Sequence, residues 1–142
     1  MPRARLLKPG FFKNELLAEL SAYHRLCFAG LWTLADREGR LEDRPERIKA
    51  ELFPYEKAVT VKAVDTMLHD LQSTGFILRY GVPPNANGAQ GYIAVLTFLE
   101  HQTPHHREPP SRIRTPSSRQ VKLARARQKK PRAEPRAGPR PA

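Results

Sequence analysis

The sequence has 142 residues and a formal net charge of +11, which is the length of about one domain with a strongly basic balance. It contains no apolar run of the roughly 18 residues that a membrane span needs, and its basic start breaks at Lys8, Pro9 and Gly10 before the apolar core of a signal peptide develops. The single cysteine, Cys27, excludes an internal disulfide and a multi-cysteine zinc site, which fits a reducing cytoplasm.

The positive charge is concentrated in the C-terminal part of the chain. Residues 1–104 hold 13 basic and 12 acidic side chains, a net of +1, whereas residues 105–142 hold 12 and 2, a net of +10. All eleven aromatic residues lie at or before Phe98. A segment so poor in apolar side chains buries too little surface to offset its ordering entropy. We therefore predict a folded domain over 1–104 and a disordered Arg/Pro-rich tail over 105–142, in which only 118–130 lacks Pro and Gly and could become helical against phosphates.

The N-terminal part of the sequence predicts two successive helices. Asn14 is a suitable N-cap for a short helix over 15–20, and Ser21 for a longer helix to about Ala35. The longer helix is apolar almost all round, which is typical of a helix in the middle of a core. Cys27 lies within it, and we interpret its thiol as inert packing.

A short strand and a third helix are predicted next. Arg40 and Leu41 form an extended piece. Asp43, with Glu46 three residues later, predicts a capping box for a helix that ends near Pro54.

A fourth helix and a β-hairpin complete the predicted domain. Apolar residues follow helical spacing over 60–74, and Gly75 ends that helix. Two β-branched and aromatic stretches, 76–80 and 92–98, flank turn-forming residues. The order helix, short strand, helix, helix, hairpin is that of a winged helix. The predicted fold class is α+β, mostly helical: a winged helix-turn-helix with a C-terminal hairpin wing.

Several stretches resemble a known family. Residues 35–54, ADREGRLEDRPERIKAELFP, are similar to the central stretch of phage-encoded replication proteins, which include small helix-turn-helix proteins and the N-terminal domains of DnaD-like replisome organisers. The stretch KPGFF at 8–12 resembles their lead-in, and further similarities lie at 75–77, His101, Gln102 and Ser111.

This resemblance covers about residues 5–113 and leaves the basic tail uncovered. It implies a winged helix that acts at phage or prophage DNA in the host cytoplasm, in replication initiation or helicase loading, and it supplies no catalytic residues. Larger relatives carry a second, C-terminal domain, and here the tail takes its place, so a reduced DNA-binding accessory is the expected form.

The fourth helix is the first candidate for contact with DNA, because the second helix of a helix-turn-helix pair enters the major groove. Its outer face presents Lys62, Thr66, His69 and Ser73. The candidates to reach base edges or phosphates are Lys62, Thr66, His69 and Gln72. Asp65 and Asp70 flank this face, so the alternative is an amphipathic helix whose outer face is solvated or meets another protein.

The other candidate contacts are basic side chains elsewhere in the chain. Around the third helix they surround a helix N-terminus, a seat for phosphate, although Glu42, Glu46 and Glu51 could pair with them instead. The wing has one fixed cation, Arg79. The cations of the tail are candidates for phosphate contact, and the alternative is that the tail is only a solubilising polycation. The full set is Arg40, Arg44, Arg47, Lys49, Arg79, Arg119, Lys122, Arg125, Arg127, Lys129, Lys130 and Arg132.

Catalysis and metal binding are not expected. The three histidines His101, His105 and His106 lie within six residues, but we interpret them as exposed linker residues because a zinc site needs four well-placed ligands. No Ser-His-Asp order and no Gly-rich phosphate loop is visible, so neither an enzyme nor a cofactor is predicted.

The sequence predicts a non-enzymatic protein that binds double-stranded DNA. Two alternatives stay open. One is a protein–protein adaptor that self-associates or docks a replicative helicase or loader, with DNA contact left to the tail; the other is RNA binding, since charge alone does not distinguish the two polyanions.

Overall fold

The computed structural model describes residues 2–81 and 90–129 and is α+β. In chain order the elements are α1 (Gly10–Lys13), α2 (Glu15–Ala18), α3 (Ala22–Leu34), β1 (Arg40–Glu42), α4 (Pro45–Leu52), α5 (Val61–Ser73), β2 (Ile77–Tyr80), β3 (Tyr92–Val95), α6 (Phe98–His101) and α7 (Ser118–Lys129). The predicted order of helix, short strand, helix, helix and hairpin is confirmed in α3 to β3. Within the described ranges, no helix has the length and apolar character needed to cross a bilayer.

The three strands form one antiparallel sheet in the order β1-β3-β2. Because side chains alternate along a strand, the sheet has two distinct faces. Ile77 and Ile93 point into the main core among the helices, where both are fully buried. Leu78 and Ala94, paired across β2 and β3, point to the opposite, outer face.

Three of the predicted helix starts are confirmed by their caps. The side chain of Asn14 accepts a hydrogen bond from Leu17 N, and that of Ser21 accepts one from His24 N. Thr60 does the same for α5. Each of these hydroxyl or amide oxygens satisfies a backbone donor that the first turn of a helix leaves without an intrahelical partner.

The predicted capping box at Asp43 is wrong. The N-cap of α4 is Arg44, and it makes no side-chain cap bond. The Asp43 carboxylate is 1% exposed and accepts two hydrogen bonds from the Arg79 guanidinium, at 2.7 and 2.9 Å. A charge-assisted bidentate pair is stronger than a single cap bond, so the carboxylate turns toward β2.

The second strand of the hairpin is shorter than the predicted 92–98. It ends at Val95, and Thr97 adopts a left-handed conformation with φ of 58°. That turn starts α6 at Phe98, whose ring packs into the main core.

The packed part of the chain continues well beyond residue 104, where the sequence analysis places the boundary. Residues 105–129 follow the surface of the domain and end in α7. Ile113, Val121 and Ala124 pack on the outer face of the sheet, against Leu78, Ala94 and Leu96. A few small apolar side chains are enough here because the sheet supplies the rest of the buried surface. The remainder of the predicted tail, 130–142, lies outside the described residues.

An ion pair between the two ends of the domain fixes the start of this C-terminal segment. Glu108 accepts hydrogen bonds from both terminal nitrogens of Arg5, at 2.9 and 2.8 Å, and both side chains are at most 5% exposed. Arg5 also donates to the carbonyls of Trp32 and Ala35, and its guanidinium lies 5.1 Å from the centre of the Phe98 ring. The Arg5 pair holds the pKa of Glu108 below its ordinary value.

Candidate nucleic-acid interface

Residues 109–129 form a continuous basic segment along one side of the domain, which we call the basic ridge. It contains no acidic and no aromatic residue. Its seven basic residues are Arg112, Arg114, Arg119, Lys122, Arg125, Arg127 and Lys129. Five of the seven lie on α7.

Local hydrogen bonds explain why α7 begins where it does. The hydroxyl of Ser117 accepts a hydrogen bond from Gln120 N at 3.1 Å, and the side chain of Gln120 accepts one from Ser117 N at 3.2 Å. This reciprocal pair is a capping box. The pattern S-x-x-Q is legible in the sequence, and it is the signal by which this helix could have been assigned without reference to phosphates.

The C-terminal half of α7 is docked at the junction between α5 and β2. Ala124 is 1% exposed. The Gln128 amide donates to the carbonyl of Gly75 at 2.8 Å. Gly75 has φ of +83°, and a Cβ there would lie 2.9 Å from the Ala124 carbonyl oxygen. The close approach of the two backbones therefore depends on glycine at this position.

The basic side chains of α7 differ in what they contact. Arg125 lies 3.4 Å from Glu100, and both side chains are more than half exposed. Arg127 donates to the carbonyl of Gln72 at 3.0 Å, near the C-terminal end of α5. Arg119 and Lys122 are exposed and form no ion pair with any side chain that the structure describes. Among the α7 side chains that the structure describes, these two are the cations most available to an external anion.

Arg114, a basic residue beside the loop end of the β2–β3 hairpin, was not among the predicted contacts. Its carbonyl accepts a hydrogen bond from the Tyr80 hydroxyl at 2.8 Å, and its exposed guanidinium lies 5.9 Å from the centre of the Tyr92 ring. Gly81, at φ of +86°, leaves room for it. Arg114 lies on no helix or strand, so periodicity alone gave no reason to select it.

Arg79, predicted as the wing cation, is not available to a ligand. Its guanidinium pairs with Asp43 and, at 2.7 Å, with Asp65, and its side chain is 13% exposed. Burial acts to lower the pKa of Arg79, but the two carboxylates outweigh it and raise the pKa. Arg79 therefore joins β2 to α5 and to the start of α4, and contributes no free positive charge.

The outer face of α5 carries fewer free polar groups than the sequence suggested. Lys62 and His69 are exposed, but the Thr66 hydroxyl donates to the Lys62 carbonyl at 3.0 Å. The Gln72 side-chain oxygen accepts a hydrogen bond from Arg79 N at 2.7 Å. Lys62 is thus the one fixed cation on this face, within the part of the chain that the structure describes.

The predicted phosphate seat at α4 is largely occupied by protein contacts. Arg40 donates to the carbonyl of Ile113 at 2.9 Å, and Lys49 donates to that of Phe53 at 2.6 Å. Arg44 and Arg47 lie 2.9 and 3.6 Å from the Glu42 carboxylate. The side chains of Arg44 and Arg47 remain 47% and 63% exposed, so they are secondary candidates for phosphate contact.

Two of the last three predicted cations lie outside the described residues. Lys129 is the final residue of α7, whereas Lys130 and Arg132 lie outside the described residues.

Ser21, His24 and Asp70 form a hydrogen-bonded series that was not predicted from the sequence. His24 Nδ1 lies 2.6 Å from the Ser21 hydroxyl, and Nε2 lies 2.7 Å from the Asp70 carboxylate. The same hydroxyl accepts the capping bond from His24 N at 3.2 Å. The arrangement joins the first turn of α3 to α5. Among the described residues, no three metal-binding side chains come together, and His105 and His106 stack on each other.

No family model matches the chain, and neither the curated proteins nor the solved structures contain a match to it. Its function is therefore proposed from its own geometry and charge.

Proposed function

We propose that the protein is a non-enzymatic DNA-binding protein built on a winged helix, and that the basic ridge is its principal contact with double-stranded DNA. The observation that carries the proposal is the ridge: seven basic and no acidic side chains over 109–129, beside a domain whose residues 1–104 have a net charge of +1. Such a separation of charge favours one face toward a polyanion.

The arrangement of the helices and the sheet supports the winged-helix part of the proposal. Helices α4 and α5 are consecutive and packed together, and the hairpin of β2 and β3 follows them directly. In a helix-turn-helix pair the second helix faces the major groove, which here assigns that position to α5 and Lys62. The resemblance of residues 35–54 supports a phage or prophage setting, with a role in replication initiation in the bacterial host cytoplasm.

The composition of the ridge favours a duplex over a single strand. Proteins that hold single strands stack the bases on aromatic side chains, and the ridge has none. Phosphate contacts release condensed counterions, so the binding constant falls with salt by about 0.9 logarithmic units per contact. If the five cations of α7 all contact phosphates, the salt slope is about −4.5.

Substitution of Arg119 and Lys122, which are exposed and form no ion pair with a described side chain, tests the proposal in the full-length chain. The variant R119Q/K122Q is compared with K13Q/K57Q, in which two exposed lysines outside the ridge are neutralised, so that both variants have the same net charge. The probe is a fluorescent 20-base-pair duplex, and its anisotropy is measured between 50 and 200 mM salt. Because the logarithm of the binding constant falls linearly with the logarithm of the salt concentration, the slope over this interval reports the number of phosphate contacts.

We expect R119Q/K122Q to lower the salt slope by about 2 and to weaken binding by roughly tenfold or more, because each phosphate contact contributes about 0.9 to the slope. K13Q/K57Q should bind nearly as the unmodified chain does. Equal losses in the two variants would contradict a specific role of the ridge, and a full-length chain that ignores the duplex at low salt would contradict DNA binding altogether.

A second candidate function is a protein–protein adaptor, and one observation favours it. Tyr23 and Leu26, one turn apart on α3, are 49% and 55% exposed, and Tyr55 in the α4–α5 turn is 90% exposed. The Tyr23 ring lies 6.0 Å from that of Phe53, two residues before Tyr55. Neighbouring exposed apolar side chains mark protein interfaces. Such a surface fits a second copy of the chain or a replicative helicase or loader.

Sedimentation velocity at two protein concentrations tests this candidate. If the α3 surface mediates self-association, the unmodified chain sediments as a dimer or larger species and L26S/Y55S sediments as a monomer. A monomeric unmodified chain at both concentrations argues against self-association.

A further inference from the structure

We infer that α7 binds duplex DNA as a docked, rigid array of cations, so that the interface exists only while α7 is packed against Gly75 and β2. This inference rests on the proposed function and goes beyond it. The affinity of a mobile polycation for DNA depends on the number of its charges. The affinity of a docked array depends also on the positions in which the fold holds those charges.

The basic ridge contacts the rest of the domain both before α7 and within it. Before the helix, the Tyr80 hydroxyl holds the Arg114 carbonyl at 2.8 Å. In the helix, Ala124 is buried, and Gln128 donates to the Gly75 carbonyl at 2.8 Å. The capping box of Ser117 and Gln120 stabilises the first turn of the helix. A helix that is already formed and docked loses little further conformational freedom on binding.

The docked position also joins the ridge to α5. Arg127 donates to the Gln72 carbonyl at 3.0 Å, in the last turn of α5, and Ser73 beside it is exposed. The exposed cation Lys62 lies on α5 ten residues before Gln72, which is about 15 Å along the helix axis at 1.5 Å per residue. Cations of α7 and of α5 are therefore held in one fixed geometry. The regular backbone of a duplex suits such a fixed array better than a flexible single strand does.

Two substitutions of the same kind separate docking from charge. Ala124 is 1% exposed and faces the domain, whereas Ala126, on the same helix, is exposed. Glutamine at either position leaves the net charge unchanged and has the same intrinsic helix propensity. Ala124→Gln does not fit against the domain and releases α7, while Ala126→Gln leaves it docked. Hydrogen exchange of the α7 amides without DNA reports whether the helix has been released.

The binding of both full-length variants is measured on a 20-base-pair duplex and on a single strand of equal length. A124Q is expected to bind the duplex at least about tenfold more weakly than A126Q, because the dozen or so residues of α7 must then be ordered on binding. The single strand, which adapts to mobile cations, is expected to show a difference of less than about twofold on the same argument.

Equal duplex binding by A124Q and A126Q, with the α7 amides of A124Q exchanging rapidly, overturns the inference and leaves the proposed function intact. Absence of duplex binding by the unmodified chain overturns both. Should A124Q fail to fold, Gln128→Ala replaces it: this change removes the bond to Gly75 with no change of charge, and it is expected to weaken duplex binding about threefold on the same ordering argument. Unchanged binding together with faster exchange in that variant also overturns the inference.

Discussion

The pair of Arg5 and Glu108 offers a sharp test of the finding that the folded part of the chain extends beyond residue 104. The substitution Glu108→Gln keeps the size and one oxygen acceptor of the side chain but removes its charge. In the native structure the carboxylate accepts from both terminal nitrogens of Arg5, at 2.9 and 2.8 Å, and is 3% exposed. The glutamine oxygen can accept from one nitrogen of Arg5. The glutamine NH2 group then faces the other nitrogen, and because both groups are donors the second hydrogen bond is lost.

The expected cost follows from the burial of both partners. Removing one partner of a buried pair costs about 3–5 kcal/mol, since the other charge is left uncompensated. Arg5 keeps its carbonyl acceptors at Trp32 and Ala35, and glutamine keeps one bond. Loss of one charge-assisted hydrogen bond is the main remaining term, so we expect a loss of about 2–3 kcal/mol in the free energy of unfolding.

Urea unfolding at pH 7 measures this loss, with Glu100→Gln as the control. Glu100 pairs with Arg125 at 3.4 Å, but its side chain is 62% exposed, so its removal should cost less than about 0.5 kcal/mol. If E108Q and E100Q unfold at the same urea concentration, residues 105–113 are not part of the cooperative fold and the reasoning fails.

The same pair sets a pH dependence. The pKa of Glu108 in the folded chain lies below its ordinary value, chiefly because Arg5 donates hydrogen bonds to the charged form. The stabilisation is therefore complete above the ordinary pKa of 4.5 and is lost as the pH falls through the lower, folded pKa. The stability difference between the unmodified chain and E108Q should be constant from pH 7 to about 5 and should shrink below pH 4.5.

Three further predictions concern single residues. Gly75→Ala places a Cβ at a left-handed φ of +83° and 2.9 Å from the Ala124 carbonyl oxygen, so thermal unfolding should show a loss of at least about 2 kcal/mol, whereas Gly10→Ala, with open space at its Cβ, should be close to neutral. Ser117→Ala removes the cap of α7 and should destabilise that helix by about 1 kcal/mol, visible as faster amide exchange confined to its first turn. Burial raises the pKa of Cys27 to about 12, so at pH 8 a thiol reagent should modify it only at the rate of unfolding; rapid labelling of the native chain would show that α3 is not in the core.

The features that could be predicted from the sequence are those whose cause is local. The caps at Asn14, Ser21 and Thr60 depend on residues three positions away, and the sequence contains everything needed to assign them. The cap at Asp43 failed because the decisive partner, Arg79, is 36 residues distant. No local sequence pattern predicts that the Asp43 carboxylate will pair with an arginine on a distant strand.

The C-terminal segment was misjudged because composition averages over its length. Taken as 38 residues, 105–142 is rich in charge and proline and has little to bury. Yet a single acidic residue, Glu108, forms a buried pair, and one alanine, Ala124, fits against Gly75. Docking onto an existing apolar sheet face requires far fewer apolar side chains than building a core, and the sequence of the segment alone does not include that face.

The basic ridge consequently has two roles that a deletion cannot separate. Its inner side chains, Ile113, Val121 and Ala124, cover Leu78, Ala94 and Leu96, and its outer side chains carry the positive charge. Truncation before residue 109 would remove the cations and expose an apolar sheet face at once. Loss of DNA binding by such a truncated chain would be expected whether the phosphates contact the ridge or not. Charge-matched substitutions on the outer side, together with the packing change at Ala124, are therefore the experiments in which the two roles give different results.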